Sequence, residues 1–352
     1  MAVAPAAVGT VRPARRRRFR RLGTLERRNL MWGLLFISPW LFGFIVFGIF
    51  PIIYTFYLSL TRYSGIKPPI FIGIQNYQRM FADPLFWKAT YNTLYYTLLA
   101  VPIGVVVAMV LALAMNRKVR EVAVYRAIYY LPSILPVFVI SFIFVVMLNP
   151  GYGIVNEILT ALHLPSPNWL GDPAYTKIAL VLIAQLGAGQ FALVFLAGLR
   201  GVPQELYEAC EIDGASSWQK FRSITIPFMT PIILYDLIIG LSFGLQVFTS
   251  AYILTGGGRT AAGADNSLLT YVFYLYKQAF QFGQMGYAAA MSVAMFVVSV
   301  ALAAAVFRWA RGWVSARMVA VTHTSMKSAM ANKGRLSSGE WVRRSLYMHR
   351  LS

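Results

Sequence analysis

Six long apolar stretches constrain this sequence more than any other feature. A helix that crosses a bilayer needs about 20 consecutive, mostly apolar residues. The chain is 58% hydrophobic and only 12% charged, which is far more apolar than a soluble domain. The predicted spans are residues 32–57, 91–115, 127–148, 177–199, 228–252 and 287–307. Pro39 and Pro51 predict a kink in the first span. We therefore expect an all-α integral membrane protein with six transmembrane helices.

The basic residues indicate how these helices are oriented. With six spans, both termini and the loops near 116–126 and 200–227 share one side, which carries 25 of the 32 Lys and Arg residues. Such residues concentrate in the cytoplasmic segments of membrane proteins. We predict a multi-pass protein of the cell membrane with both termini in the cytoplasm. The net charge of +20 is then a topology signal, so we expect no nucleic-acid partner.

The sequence divides into three segments. Residues 1–30 are expected to form a basic cytoplasmic N-terminal arm suited to the anionic headgroups of the lipid bilayer. Residues 31–312 are expected to form the six-span domain, with a cytoplasmic loop at 201–227 between the fourth and fifth spans. Residues 313–352 are polar and basic, and we expect them to be a loosely ordered cytoplasmic tail.

The loop at 201–227 has the pattern of two short helices rather than that of a simple polar connection. Pro203 suits the first turn of a helix, where its missing N–H costs nothing. Gly214 is a natural helix stop, and Ser216 or Ser217 can cap a second helix. We therefore predict a cytoplasmic elbow of two helices between the fourth and fifth transmembrane helices.

Apolar residues in the second half of this loop need to be buried somewhere. Trp218, Phe221 and Ile224 would lie on the second short helix, and Pro227 is expected to end it and to begin the fifth span. A soluble partner that docks from the cytoplasm would bury these side chains. An elbow that lies on lipid headgroups is the alternative, and the residue pattern alone favours neither.

The loop resembles the signature loop of binding-protein-dependent ABC importer permeases. The resemblance is carried by Glu208-Ala209-Cys210-Glu211-Ile212-Asp213-Gly214-Ala215 and continues through Phe221, Ile224, Ile226 and Pro227 to Pro231. This sequence departs from the family pattern at Cys210 and Ile226, where both replacements are small or apolar. In that family the loop forms coupling helices that sit in a cleft of the ATPase subunit. The resemblance thus implies ATPase coupling by Glu208, Ala209, Asp213, Gly214, Ala215, Phe221, Ile224 and Pro227.

Other stretches resemble the sugar branch of that family, the maltose-type permeases. They are residues 71–77, 92–93, 129–132, 254–258 and 286–290. The resemblance covers about residues 30–312 and implies a sugar cargo delivered by an extracytoplasmic solute-binding protein. It also implies an ATP-binding-cassette ATPase dimer and a second permease subunit, which we expect to be a different chain. Glycerol phosphodiesters, polyols or peptides are alternative cargoes for the same architecture.

The sequence contains none of the common motifs for hydrolysis. It lacks the phosphate loop G-x-x-x-x-G-K-[ST], the zinc motif H-E-x-x-H and the nucleophile elbow G-x-S-x-G. One cysteine, Cys210, and three dispersed histidines offer no metal site. We therefore predict a transport subunit that is not an enzyme and that has no catalytic residue, metal or cofactor. A self-sufficient secondary transporter is the alternative of a different class.

Four polar residues inside the spans are candidates for the cargo path. Asp236 is the sole acidic residue in a predicted span, and carboxylates inside a membrane are costly and often functional. Its position toward the cytoplasmic end also favours a structural pairing or snorkelling. Gln185, Gln190 and Gln246 can donate to and accept from sugar hydroxyls. Hydrogen bonds between helices are the alternative role for each glutamine.

Overall fold

The computed structural model describes residues 24–117, 122–258 and 261–331. Most of the predicted N-terminal arm and the end of the predicted C-terminal tail lie outside the described residues. The chain divides into two compact units, residues 1–55 and 56–352.

The first unit contains most of one long apolar helix. α1 (Thr24–Gly43) continues through a widened turn at Phe44–Ile49 into α2 (Phe50–Ser59). In this turn the N–H of Phe50 donates to the carbonyl of Ile45, five residues back. Widened turns of this kind often accompany helix distortions. The widened turn lies directly before Pro51, and the helix remains continuous over Met31–Ser59.

The second unit contains the remaining elements. In chain order they are β1 (Thr61–Arg62), β2 (Ile70–Phe71), α3 (Gln75–Ala82), α4 (Pro84–Met115), α5 (Val122–Ile134), α6 (Val137–Met147), α7 (Ile154–Ala161), α8 (Pro173–Gln185), α9 (Ala188–Arg200), α10 (Gln204–Ile212), α11 (Ser217–Lys220), α12 (Ile226–Leu245), α13 (Thr249–Leu254), α14 (Tyr271–Tyr276) and α15 (Met285–Ala331). β1 and β2 pair antiparallel, with Thr61 opposite Phe71.

The structure confirms an all-α membrane architecture. Within the described residues, four helices are individually long and apolar enough to cross a membrane: Met31–Ser59, Pro84–Met115, Ser217–Leu245 and Met285–Trp309. Two bent pairs, α5 with α6 and α8 with α9, bring the number to six if each pair crosses as one span. The last helix runs on to Ala331, so the chain is helical past the predicted domain boundary at residue 312.

Three predicted spans are not the continuous helices that we expected. The third bends by 94° between α5 and α6, where Pro136 removes a backbone donor and disfavours a helical conformation at Leu135. The fourth bends by 45° at Leu186–Gly187, because glycine weakens a helix interior. The fifth ends at Leu245 rather than at residue 252.

The break after α12 is supported by a hydrogen bond from another segment. The Oγ1 of Thr270 donates to the carbonyl of Val247 at 2.8 Å. A neighbouring hydroxyl therefore satisfies a backbone group near the break, which is what makes broken helices tolerable in an apolar environment.

α4 and α12 pack closely along a line of small residues. A Cβ atom placed on Gly240 would lie 2.9 Å from Val101 Cγ1, and one placed on Gly244 would lie 2.8 Å from Thr97 Cγ2. Such distances leave no room for a larger side chain. This contact fixes the face of α12 that also carries Asp236, one turn before Gly240.

Candidate functional site

A cavity of about 500 Å³ lies among the bent and broken helices of the second unit. Residues from α4, α5, α6, α8, α9, α12 and α13 line it. Its aromatic and polar lining residues are Tyr96, Phe191, Phe243, Phe248, Ser133, Gln190, Asp236, Gln246, Thr249 and Ser250. A pocket of this size falls within the roughly 300–1,000 Å³ typical of small-molecule sites.

Three of the four predicted cargo-path residues meet at this cavity. Gln190 and Gln246 are exposed, whereas Asp236 is buried, and all three line the cavity. The Nε2 of Gln246 donates to the carbonyl of Ser242 at 2.9 Å. This bond uses the amide nitrogen of Gln246, so the Oε1 atom does not take part in it.

Gln185 occupies a different position. Its Nε2 donates to the carbonyl of Val181 at 2.9 Å and reaches that of Ala100 on α4 at 3.4 Å. It is absent from the residues that line the cavity. The arrangement corresponds to the interhelical role that the sequence offered as the alternative.

Asp236 is an unpartnered carboxyl group at the cavity wall. Its side chain is 4% exposed, and its Oδ2 has no hydrogen-bond partner among the described residues. A buried charge without a partner is costly. A hydrogen-bond donor placed next to Oδ2 would therefore stabilise this carboxyl group.

Sequence reasoning missed the hydroxyl groups of the cavity. Ser133 precedes the bend at Pro136, and Thr249 and Ser250 follow the break after α12. They reach the cavity because the helices are interrupted there. Pro136 was the available signal for the first of these interruptions.

The elbow between α9 and α12 is built by local hydrogen bonds. At the end of α10, the N–H of Ala215 donates to Cys210 O at 2.9 Å and that of Gly214 donates to Glu211 O at 3.1 Å. This is a Schellman motif, and the φ of +73° at Gly214 provides its left-handed residue. The structure confirms Gly214 as the helix stop.

A capping box begins the next helix. The Oγ of Ser216 accepts from the N–H of Gln219 at 3.3 Å, and the Gln219 Oε1 accepts from the N–H of Ser216 at 2.7 Å. Each of the two residues thus satisfies a free N–H group of the other. Of the two predicted caps, Ser216 is the one used.

The prediction that Pro227 ends the second short helix was wrong. The chain is one continuous helix over Ser217–Leu245, with a widened turn at Phe221–Thr225 in which Ile226 N–H donates to Phe221 O. A proline normally clashes with the preceding turn, and the widened turn directly before Pro227 relieves that crowding.

The elbow exposes half of its eight predicted coupling residues. Exposed positions are Glu208, Ala209, Asp213 and Gly214; half-buried positions are Ala215, Phe221 and Pro227; Ile224 is buried. Two large apolar side chains are also exposed, Ile212 at 88% and Trp218 at 67%. The Tyr207–Thr225 hydroxyl contact of 2.9 Å joins the two halves of the elbow, and Phe221 packs against the hydrophobic core of the unit.

A second polar region lies on α4, α14 and α15. We call it the polar cap and define it as Asp83, Asn92, Tyr274 and Tyr287. The Oδ2 of Asp83 accepts from both tyrosine hydroxyls, and its Oδ1 accepts from the N–H of Leu85 at the start of α4. Burial, together with the hydrogen bond to Asp83, raises the pKa of Tyr274.

Comparisons with known proteins agree with this architecture. Residues 100–320 match the family of binding-protein-dependent transport system inner membrane components. The probable ABC transporter permease protein YesP of Bacillus subtilis is 33% identical over 290 residues, which cover 82% of this chain and 93% of that protein. The trehalose/maltose transport system permease protein MalF of Thermococcus litoralis is 35% identical over 276 residues, covering 78% and 92%.

A solved structure shares the fold. It is a chain from the bacterial alginate ABC transporter in complex with an alginate pentasaccharide-bound periplasmic protein, with a TM-score of 0.71 and 22% identity over 82% of this chain and 96% of that one. The family match and the two relatives establish what kind of protein the chain is. The chain belongs to the family of binding-protein-dependent transport system inner membrane components and is a multi-pass permease of the ABC importer type.

Proposed function

We propose that this chain forms the translocation path for a sugar that an extracytoplasmic solute-binding protein delivers, with ATP hydrolysed by a separate subunit docked on residues 205–227. One observation carries the proposal: a single continuous helix, Ser217–Leu245, joins the elbow to the cavity wall. The first turn of this helix carries the exposed Trp218, and a later turn carries Asp236. Gln246, which directly follows the end of the helix, also lines the cavity. A displacement of the elbow is therefore transmitted directly to the cavity.

The elbow has the properties of a docking surface for an ATPase dimer. Ile212 and Trp218 are apolar and exposed, and exposed apolar groups of this kind favour burial by a partner. The coupling residues Glu208, Ala209 and Gly214 lie on the same exposed segment. Closure of the ATPase subunits on ATP would move this surface and re-pack the helices around the cavity, a rigid-body form of switching.

The cavity has the chemistry of a carbohydrate site. Phe191, Phe243 and Phe248 offer apolar faces, while Gln190 and Gln246 offer amides that can both donate and accept. The relative MalF is named for trehalose and maltose, which supports a saccharide over the alternative polyols, peptides and glycerol phosphodiesters. A second permease subunit of a different chain would complete the path.

The proposed orientation places both termini and the elbow in the cytoplasm. It follows from the basic residues of the loops and puts the exposed elbow on the side where ATP is available. The polar cap would then lie on the opposite side, toward the solute-binding protein. The segments 1–30 and 313–352 would be cytoplasmic extensions of the permease domain at 31–312.

Affinity purification in mild detergent followed by mass spectrometry tests the proposed assembly. We expect an ATP-binding-cassette ATPase and a second permease to co-purify. The purified complex is then placed in proteoliposomes with its solute-binding protein, and ATP-dependent uptake of radiolabelled trehalose and maltose is measured. Uptake by this chain alone without ATP would instead identify a secondary transporter. ATP-driven uptake of a peptide but of no saccharide would refute the proposal that the cargo is a sugar.

A further inference from the structure

The described residues that line the cavity include one acidic residue and no basic residue. Of the described residues that line it, Asp236 alone carries a charged side chain, and neither Lys, Arg nor His is among them. The other polar groups are neutral amides and hydroxyls. A cargo that enters this space therefore meets one carboxylate and no compensating cation from this chain.

The interrupted helices do not supply the missing positive charge. The cavity receives the C-terminal ends of α5, α8 and α12 and the N-terminal ends of α6, α9 and α13. A helix N-terminus carries a partial positive charge and a C-terminus a partial negative charge. Ends of both kinds therefore face the cavity, and Asp236 carries the one formal charge among the described residues that line it.

The surroundings of Asp236 strengthen its field. The side chain is 4% exposed and lies on the face of α12 that packs against α4 through Gly240. Coulomb interactions are stronger where water is excluded. Oδ2 has no hydrogen-bond partner among the described residues, so it is available to accept from a hydroxyl group of the cargo.

We propose that Asp236 makes this cavity selective for uncharged saccharides and excludes anionic ones, such as uronates and phosphorylated or sulfonated sugars. The inference rests on the proposed function and narrows its substrate class. An uncharged saccharide brings hydroxyl donors, which a carboxylate accepts. An anionic cargo brings a like charge into a space where the described residues of this chain offer no cation to pair with it.

Thiol chemistry measures the potential of the cavity without knowledge of the cargo. In the assembled complex this chain carries Cys210→Ala, which removes its one natural thiol, and Gln246→Cys, which places a thiol at an exposed lining position. The probes are the anionic methanethiosulfonate ethylsulfonate and its cationic trimethylammonium counterpart, each normalised to its rate with a free thiol. We expect the cationic probe to react at least about tenfold faster, since a one-sign cleft raises the local concentration of counter-ions by that factor or more.

Two further variants test whether Asp236 causes the difference between the reaction rates of the cationic and anionic probes. Asp236→Asn keeps the size of the side chain and should bring the ratio of rates close to one. Asp265→Asn removes one negative charge at an exposed side chain that pairs with Lys88 at 2.8 Å and that does not line the cavity, so it should leave the ratio unchanged. Equal rates for both probes without the Asp236 substitution would overturn the proposal, because the carboxyl group would then be neutral or shielded.

Uptake separates this inference from the proposed function. Proteoliposomes with the solute-binding protein receive radiolabelled trehalose, maltose, digalacturonate and the uncharged methyl ester of digalacturonate. Uptake of an uncharged sugar with at least tenfold poorer uptake of the free acid supports the selectivity. Uptake of the free acid as fast as its ester overturns it while the sugar importer stands. Failure to import any saccharide, with the ratio of thiol rates intact, refutes the proposed function and leaves only the charge selectivity of the cavity standing.

Discussion

The polar cap and the elbow are both small polar regions of the second unit, yet they are built in opposite ways. In the polar cap, side chains distant in sequence bind one another: Asp83 accepts from Tyr274 and Tyr287, 191 and 204 residues away. Asn92 donates to the carbonyls of Asn266 and Leu269 at 2.9 and 3.0 Å. The cap therefore ties several helices together.

The elbow is held mainly by bonds between near neighbours. Its Schellman motif and capping box join residues three to five positions apart, and α10 has no buried residue. Local bonds fix its shape but leave its surface uncovered. The comparison indicates that the cap serves stability, whereas the elbow presents a preformed surface to a partner.

The largest effect should come from Asp83→Ala. It removes the acceptor of two tyrosine hydroxyls and the cap of α4, which together contribute about 3 kcal/mol or more to stability. We expect a fall of several degrees in the Tm of the detergent-purified permease, measured by a thermal shift. Asp83→Asn keeps an oxygen acceptor and the cap and should lose about half as much. An unchanged Tm for Asp83→Ala would erase the distinction between the two regions.

Trp218→Ala should leave the stability of the permease unchanged and weaken its binding to the ATPase. Because the side chain is 67% exposed, the Tm of the isolated permease should not change. If the ATPase buries this tryptophan as an interface anchor, its loss weakens binding by about 2 kcal/mol, or roughly thirtyfold. The affinity is measured by titrating the ATPase onto the permease. Trp40→Ala, at a tryptophan that is 68% exposed on the first span, is the matched control and should leave the affinity unchanged.

Gly214→Val tests whether the shape of the elbow matters apart from its contacts. A Cβ atom at this position meets nothing within 4 Å, but φ is +73°, so a β-branched residue costs about 1–2 kcal/mol through strain alone. We expect uptake to fall about tenfold while ATP hydrolysis continues in an inserted complex. Gly214→Asn tolerates the left-handed conformation and should retain most of the uptake. Normal transport in the valine variant would argue against a coupling role.

The smallest effect should follow removal of residues 1–20. This basic segment is proposed to contribute to topology and lipid contact, not to the cap or the elbow. Uptake in proteoliposomes and the Tm should both stay close to those of the full chain. A complete loss of uptake would show that the arm takes part in transport.

Parts of the elbow were predictable because their signals are local. Gly214 indicates the end of one helix and Ser216 the start of the next, because their backbone preferences act within a few residues. The apolar spans were predictable for the same reason, since length and hydrophobicity are read along the chain. The bend at Pro136 had a local signal as well, but a proline inside a span does not reveal whether the helix widens, as at Pro51, or turns by 94°.

The amino-acid sequence by itself determined the membrane class, the position of the elbow and the candidates Gln190, Asp236 and Gln246. Only the tertiary structure decided that these three share one cavity, that Gln185 is used in helix packing, and that Asp83 is joined to tyrosines some 200 residues away. The physical reason is that capping and hydrophobicity act over a few residues. Cavities and long-range hydrogen bonds depend on how interrupted helices pack against one another.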